Sequence, residues 1–150
     1  MLHDYVQSSI HALSTAEFRV VVVDHGSPSP KVTAVRQHAA QTLNKSLEGI
    51  FIDQAVMERR EGKEYDFNGP LLEQYLSDQA ALGVKSVIVI LMFFLPGKHA
   101  GPEGDIEAIC TRVMGKSPGF NVRVSPLVGE HEGLVDVLHS RLLNVIQGSG

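Results

Sequence analysis

His25, Glu58 and His99 are the residues of this chain whose types and placement suggest chemistry: two imidazoles and a carboxylate, distant in sequence, each following an apolar run. A neutral imidazole offers a lone pair to borderline transition metals, and a carboxylate adds negative charge. The set suits a divalent ion such as cobalt, nickel, zinc or ferrous iron, without choosing among them. A histidine at a strand end is more often a hydrogen-bonded turn residue, and it is the second one, His99, in the Pro- and Gly-framed stretch from Pro96 to Pro102, that points to a site. Glu58 stands beside Arg59, Arg60, Glu61, Lys63 and Glu64, where membership of a solvated charge cluster is the plainer reading. The remaining histidines point elsewhere. His3 and His11 belong to an amino-terminal segment, His38 to the polar side of a helix, and His139 to the last helix. His131 begins that helix near the same edge, with capping as its default role.

The elements that must position these residues follow from the hydrophobic pattern. Four apolar, β-rich runs, at Phe18 to Val23, Ile50 to Met57, Val84 to Phe94 and Phe120 to Leu127, alternate with helical patterns, the signature of a parallel sheet covered by helices. The first run is continuously apolar after Arg19, as a central strand buried on both faces should be. Ser27, Pro28, Ser29 and Pro30 supply the cap and first turn of a helix whose expected inner face is Val32, Val35, Ala39 and Leu43. The next helix is predicted from Pro70 to Ala81 with Leu72, Tyr75 and Leu76 inward. The third buries Ile106, Ile109, Cys110 and Val113, and the last shows Leu134, Leu138, Leu142 and Val145. Leu2, Val6, Ile10 and Leu13 give residues 1–17 the spacing of an amphipathic accessory helix. Residues 18–147 read as one α/β domain, and 148–150 as a disordered tail. In open α/β sheets ligands bind beyond the carboxyl ends of the strands, so His25, Glu58 and His99 should converge on one edge.

Composition narrows the function classes. At 150 residues the chain supports one core. Its 43% apolar and 20% charged content is that of a globular protein, and no apolar run is long enough to span a membrane. A net charge of -4 argues against nucleic acid as a partner. The single cysteine, Cys110, excludes an internal disulfide and a Cys-based zinc or iron–sulfur centre within one chain. The amino terminus lacks a basic region and a long apolar run, so a cytoplasmic protein is expected.

Two stretches carry a resemblance. Val22-Val23-Asp24-His25-Gly26-Ser27 is similar to the strand-His-Gly-Ser motif of the CbiX-type sirohydrochlorin chelatases. Phe94-Leu95-Pro96-Gly97-Lys98-His99, followed by Asp105-Ile106, resembles that family's Phe-Leu, Gly, basic residue, His and Asp-Ile pattern. Met57-Glu58 is similar to an acidic residue after the second strand, and Pro126 to His131 to a carboxyl-terminal loop. The resemblance spans about residues 18–144. It implies a chelatase-like three-layer sandwich: a four-stranded, mostly parallel sheet with helices on both faces. It also implies insertion of cobalt or ferrous iron, as substrate, into sirohydrochlorin or a related tetrapyrrole of cobalamin or siroheme synthesis, with no organic cofactor. In it His25 and His99 handle the metal and, with Glu58, carry catalysis; Gly26, Ser27, Gly97, Lys98 and Arg59 meet the carboxylates of the tetrapyrrole. Chelatases of this fold resemble two facing halves, and one half here implies a homodimer.

The chain departs from the pattern at Pro28, where an Arg is common, in the five residues separating His99 from Asp105, at Glu107 in place of proline, and in an expanded loop after Glu58. These departures surround the pocket and favour, as the alternative, a tetrapyrrole or metal carrier without turnover. Histidine phosphatases also place His-Gly after the first strand, but with Arg before it; Asp24 there would repel a phosphate.

Overall fold

A computed structural model describes residues 1–11, 17–48, 50–95, 97–100 and 104–148. Its elements are α1 (Leu2–His11), β1 (Phe18–Asp24), α2 (Pro30–Ser46), β2 (Ile52–Val56), α3 (Leu72–Ala81), β3 (Ser86–Leu91), α4 (Gly97–Ala100), α5 (Asp105–Lys116), β4 (Asn121–Val124) and α6 (Gly133–Gly148), with 3-10 turns at Lys63–Asn68 and Val128–Glu130. The four strands form one sheet in the order β2-β1-β3-β4, and every pair is parallel.

Alternation along the strands builds a core on each face. Val21 and Val23 of β1, with Val87, Val89 and Leu91 of β3, meet Leu72, Tyr75 and Leu76 of α3 and Ile106, Cys110 and Val113 of α5. Val20, Val22, Ile88 and Ile90 point the other way, onto Ala40 and Leu43 of α2 and Val6 of α1. The expected three-layer α/β sandwich is therefore observed, and α1 belongs to it: Val6 has no exposed surface. Leu13, expected on the same helical face, lies outside the described residues, as do Ser149 and Gly150. Gly148, read as part of a tail, is the last residue of α6. No described helix is long and apolar enough to cross a membrane.

Two helices differ from expectation. The inner face of α2 is Thr33, Arg36, Ala40 and Leu43, while Val32 and Val35 are 45% and 62% exposed. The helix is rotated because Arg36 has a partner inside, described below. α6 buries none of its residues; Leu138 and Leu142 are 59% and 57% exposed. α1 and α2 pack over one face of the sheet and α3 and α5 over the other, Asn121, Arg123 and Val124 of the edge strand β4 stay exposed, and no α6 residue joins either core. The stretch around His99, read as irregular, forms the single turn α4. His131 precedes α6 instead of starting it, with Nε2 3.0 Å from Asp4 Oδ2 and its ring edge on Tyr5.

Candidate metal-handling site

β1 ends at Asp24, and the chain turns at once through His25, Gly26 and Ser27. The turn lies against the exit of β2: Met57 N donates to Asp24 O at 3.0 Å and Glu58 N donates to His25 O at 2.9 Å. Gly26 makes this approach possible. It adopts φ +85°, and a Cβ at that position would stand 1.9 Å from Glu58 O. His25 and Glu58, 33 positions apart in sequence, are thereby fixed by backbone contact.

His99 comes from α4, above the end of β3. Its ring lies 5.3 Å from that of His25, centroid to centroid, and His25 in turn packs edge-on to Phe93 at 4.2 Å. His99 is 8% exposed. Its Nδ1 lies 2.8 Å from Asp105 Oδ2, and its Nε2 lies 3.4 Å from Glu58 Oε1. All three sequence-derived residues thus converge on one edge, and Glu58 is more than a member of a charge cluster. Asp105, read only as part of a sequence pattern, orients the imidazole: with Nδ1–H donated to it, a neutral His99 turns the Nε2 lone pair toward Glu58. Two acceptors then face one another. A cation or a proton between them resolves the conflict, and 3.4 Å is about the separation of two ligands on a tetrahedral ion bound at roughly 2.0–2.2 Å.

The environment of His25 favours its neutral form. The residue is exposed overall, but one side of its ring is desolvated against Phe93. That burial, followed by the proximity of His99, lowers its pKa from the ordinary 6.5; the charges of Asp24 and Glu58 oppose the shift. Among the described residues, no group of three or more His, Cys, Asp or Glu side chains is placed to hold a metal ion.

The tetrapyrrole-binding expectations fare differently from one another. Lys98 Nζ is 3.7 Å from Glu58 Oε1, and both side chains are largely exposed, so the ammonium is held only loosely. Gly97, with φ +49°, begins α4 beside it. Arg59 is engaged within its own loop, donating to Gly69 O and Asp66 Oδ1. The turn amides are also occupied: Gly26 N donates to Asp24 Oδ1 and Ser27 N to Asn68 Oδ1, both at 3.0 Å. His99, Glu58 and Asp105 line a cleft of about 270 Å³ with Met57, Glu73 and Arg112.

Sequence reasoning missed the support beneath the turn. Arg36 Nη1 donates to Asp24 Oδ1 and Nη2 to Asn68 O, both at 2.6 Å, and Nε reaches Gln54 Oε1 at 3.2 Å. Asp24 is therefore an ion-paired residue and not the bare repulsive charge its position beside His25 suggested. The one available signal was the spacing Thr33, Arg36, Ala40, Leu43, which makes a helical face only if an arginine is allowed inside.

The CbiX family profile matches residues 19–145. Among solved structures, the chain is similar to a crystal structure described as a putative cobalamin (vitamin B12) biosynthesis CbiX protein from Marinobacter aquaeolei VT8. The two share 19% identity with a TM-score of 0.66, over 87% of this chain and 98% of that one. At that identity the likeness is one of fold. A search of curated proteins gave no match.

Proposed function

The chain belongs to the CbiX family, and on that premise we propose that it is a metal chelatase of the lyase type, taking cobalt or ferrous iron as its metal substrate and sirohydrochlorin or a related tetrapyrrole as its organic one. The observation that carries this reading is the facing of His99 Nε2 and Glu58 Oε1 beside the His25 ring, at the edge where the strands end. Insertion replaces two pyrrole protons by one divalent ion. It requires a site that binds the ion without retaining it, and a base. The His25 and His99 imidazoles serve the first need, and Glu58, 65% exposed, can accept a proton and pass it to water. Asp105 holds His99 in the useful tautomer. The test is single-turnover insertion of cobalt or ferrous iron into sirohydrochlorin, followed by the change in the macrocycle's absorption. Binding of both substrates without that change would select the carrier alternative.

Substrate carboxylates need cations. Lys98 is held only loosely by Glu58 beside the pair, whereas Arg59 must share or release Asp66 to contribute. Lys98→Ala is expected to weaken tetrapyrrole binding by about three- to tenfold, the value of one exposed charge-assisted contact. Cobalt affinity should stay within about twofold, since a protonated amine is no ligand. Separate titrations with tetrapyrrole and with cobalt check the split.

The cleft beside His99 is small for a macrocycle, and α6 presents Val135, Leu138, Leu142 and Ile146 to solvent on adjoining turns. Both features support a homodimer in which a second copy supplies the facing wall. Sedimentation equilibrium at micromolar concentration is expected to give about twice the chain mass of 16.3 kDa, and Leu138→Glu with Leu142→Glu to give the monomer.

A further inference from the structure

Asn68 closes the 3-10 turn of the expanded loop and has no exposed surface. Its amide is used on both sides by one backbone segment. Oδ1 accepts from Ser27 N at 3.0 Å, and Nδ2 donates to Ser27 O at 2.9 Å and to Tyr65 O at 3.2 Å. This two-point pairing clamps the turn just after His25 in the way a neighbouring strand would. The backbone carbonyl of Asn68 is itself held by Arg36 Nη2. The same guanidinium holds Asp24, which in turn accepts from Gly26 N. Both flanks of His25 are therefore fixed from below by a single buried network, in which no described buried side-chain N or O atom lacks a partner.

We propose that Asn68 is a positioning residue: anchored on Arg36, it clamps the Ser27 backbone and so holds the His25 ring edge-on to Phe93 and next to His99, and the loop that looks like an insertion is what delivers it. A loop that merely filled space would need no side chain paired to both polar groups of one residue. The placement of His25 rests on geometry alone; its consequence for metal rests on the function proposed above.

The experiment uses the full chain with two readouts. In the metal-free protein, the His25 ring proton resonances report its seat against Phe93. Asn68→Ala is expected to move them toward those of a free histidine while the His99 resonances stay nearly unchanged. With cobalt(II) alone, titrated at pH 7.5, Asn68→Ala should raise Kd by about tenfold, the usual consequence of releasing a ligand's support. It should add nothing further in a His25→Ala background, because the clamp acts through that ring. Asn68→Asp keeps the acceptor for Ser27 N, loses the donor, and should fall between; it decides the matter by the same readouts if Asn68→Ala does not fold. A lowered melting temperature with unmoved His25 resonances would overturn the proposal and leave Asn68 a structural anchor. Unchanged cobalt affinity in His25→Ala itself would sink the metal reading, while the resonances would still decide the clamp.

Discussion

Alanine at both His25 and His99 is expected to reduce metal insertion by at least about a hundredfold, with circular dichroism unchanged. Removing only the partner that orients a ligand typically costs roughly 10- to 100-fold in metal affinity or activity, and here both imidazoles themselves go. The fold should survive, because His25 is exposed and His99 sits on the single turn α4, outside both halves of the core. The pH dependence follows from the same residues. On the mechanism proposed above, metal competes with a proton for the His25 lone pair, so affinity falls as pH drops. The pKa of His25 is depressed below 6.5 by its seat on Phe93 and by His99. The shift favours the neutral ring further, and the contribution of His25 to binding is lost only as pH falls through that lowered value. In His99→Ala one of the two causes of depression disappears, and the loss should begin at higher pH. Cobalt titrations between pH 5 and 8 check the shift, and undiminished insertion by the double variant would refute the mechanism. Glu58→Gln separates two roles for the carboxylate. Lost turnover with retained cobalt affinity makes it the proton acceptor, and parallel losses make it a ligand.

How much of this was legible in the sequence depends on the distance over which each feature is determined. β1 and β3 could be read because strands covered on both faces need continuous apolar runs, and the turn residues after them place His25 and His99 on one edge. The spacing of those histidines, the orientation of His99 by Asp105 and the approach of Glu58 to His99 depend on how separate elements settle on each other. No local pattern encodes them. α2 misled for a physical reason: Val32 and Val35 make a plausible apolar stripe, but an ion pair with Asp24 draws Arg36 inward, and periodicity counts charged residues as outward. α6 misled in the opposite way. Its stripe of Leu134, Leu138, Leu142 and Val145 is real, but amphipathicity says only that a helix has something to cover and not what, and none of the four joins either core. The residues 58–69 loop reads as polar and expanded, and only the fold reveals that Asn68 turns it into a support.

Arg36→Ala is expected to destabilise the chain by about 3–5 kcal/mol, the range found when one member of a buried ion pair is removed and the other is left behind. The side chain of Arg36 is 2% exposed and that of Asp24 is 12% exposed, so neither charge has water to fall back on. The loss takes a donor at once from the Asp24 carboxylate, which keeps Gly26 N, from the Asn68 carbonyl and from the part-buried Gln54 amide oxygen, since one guanidinium serves all three. For a domain of this size the melting temperature should fall by roughly 6–20 °C. Arg36→Lys preserves the charge but offers a point donor in place of a planar fork, and should recover only part of the loss. Arg36→Met combined with Asp24→Asn is the informative variant. If the penalty comes from the stranded carboxylate, neutralising it should restore stability relative to Arg36→Ala, even though two charges are gone. An equal or larger fall in melting temperature for the double variant would mean that the network stabilises through its geometry, and that the fork on Asn68 and Gln54 matters more than the ion pair.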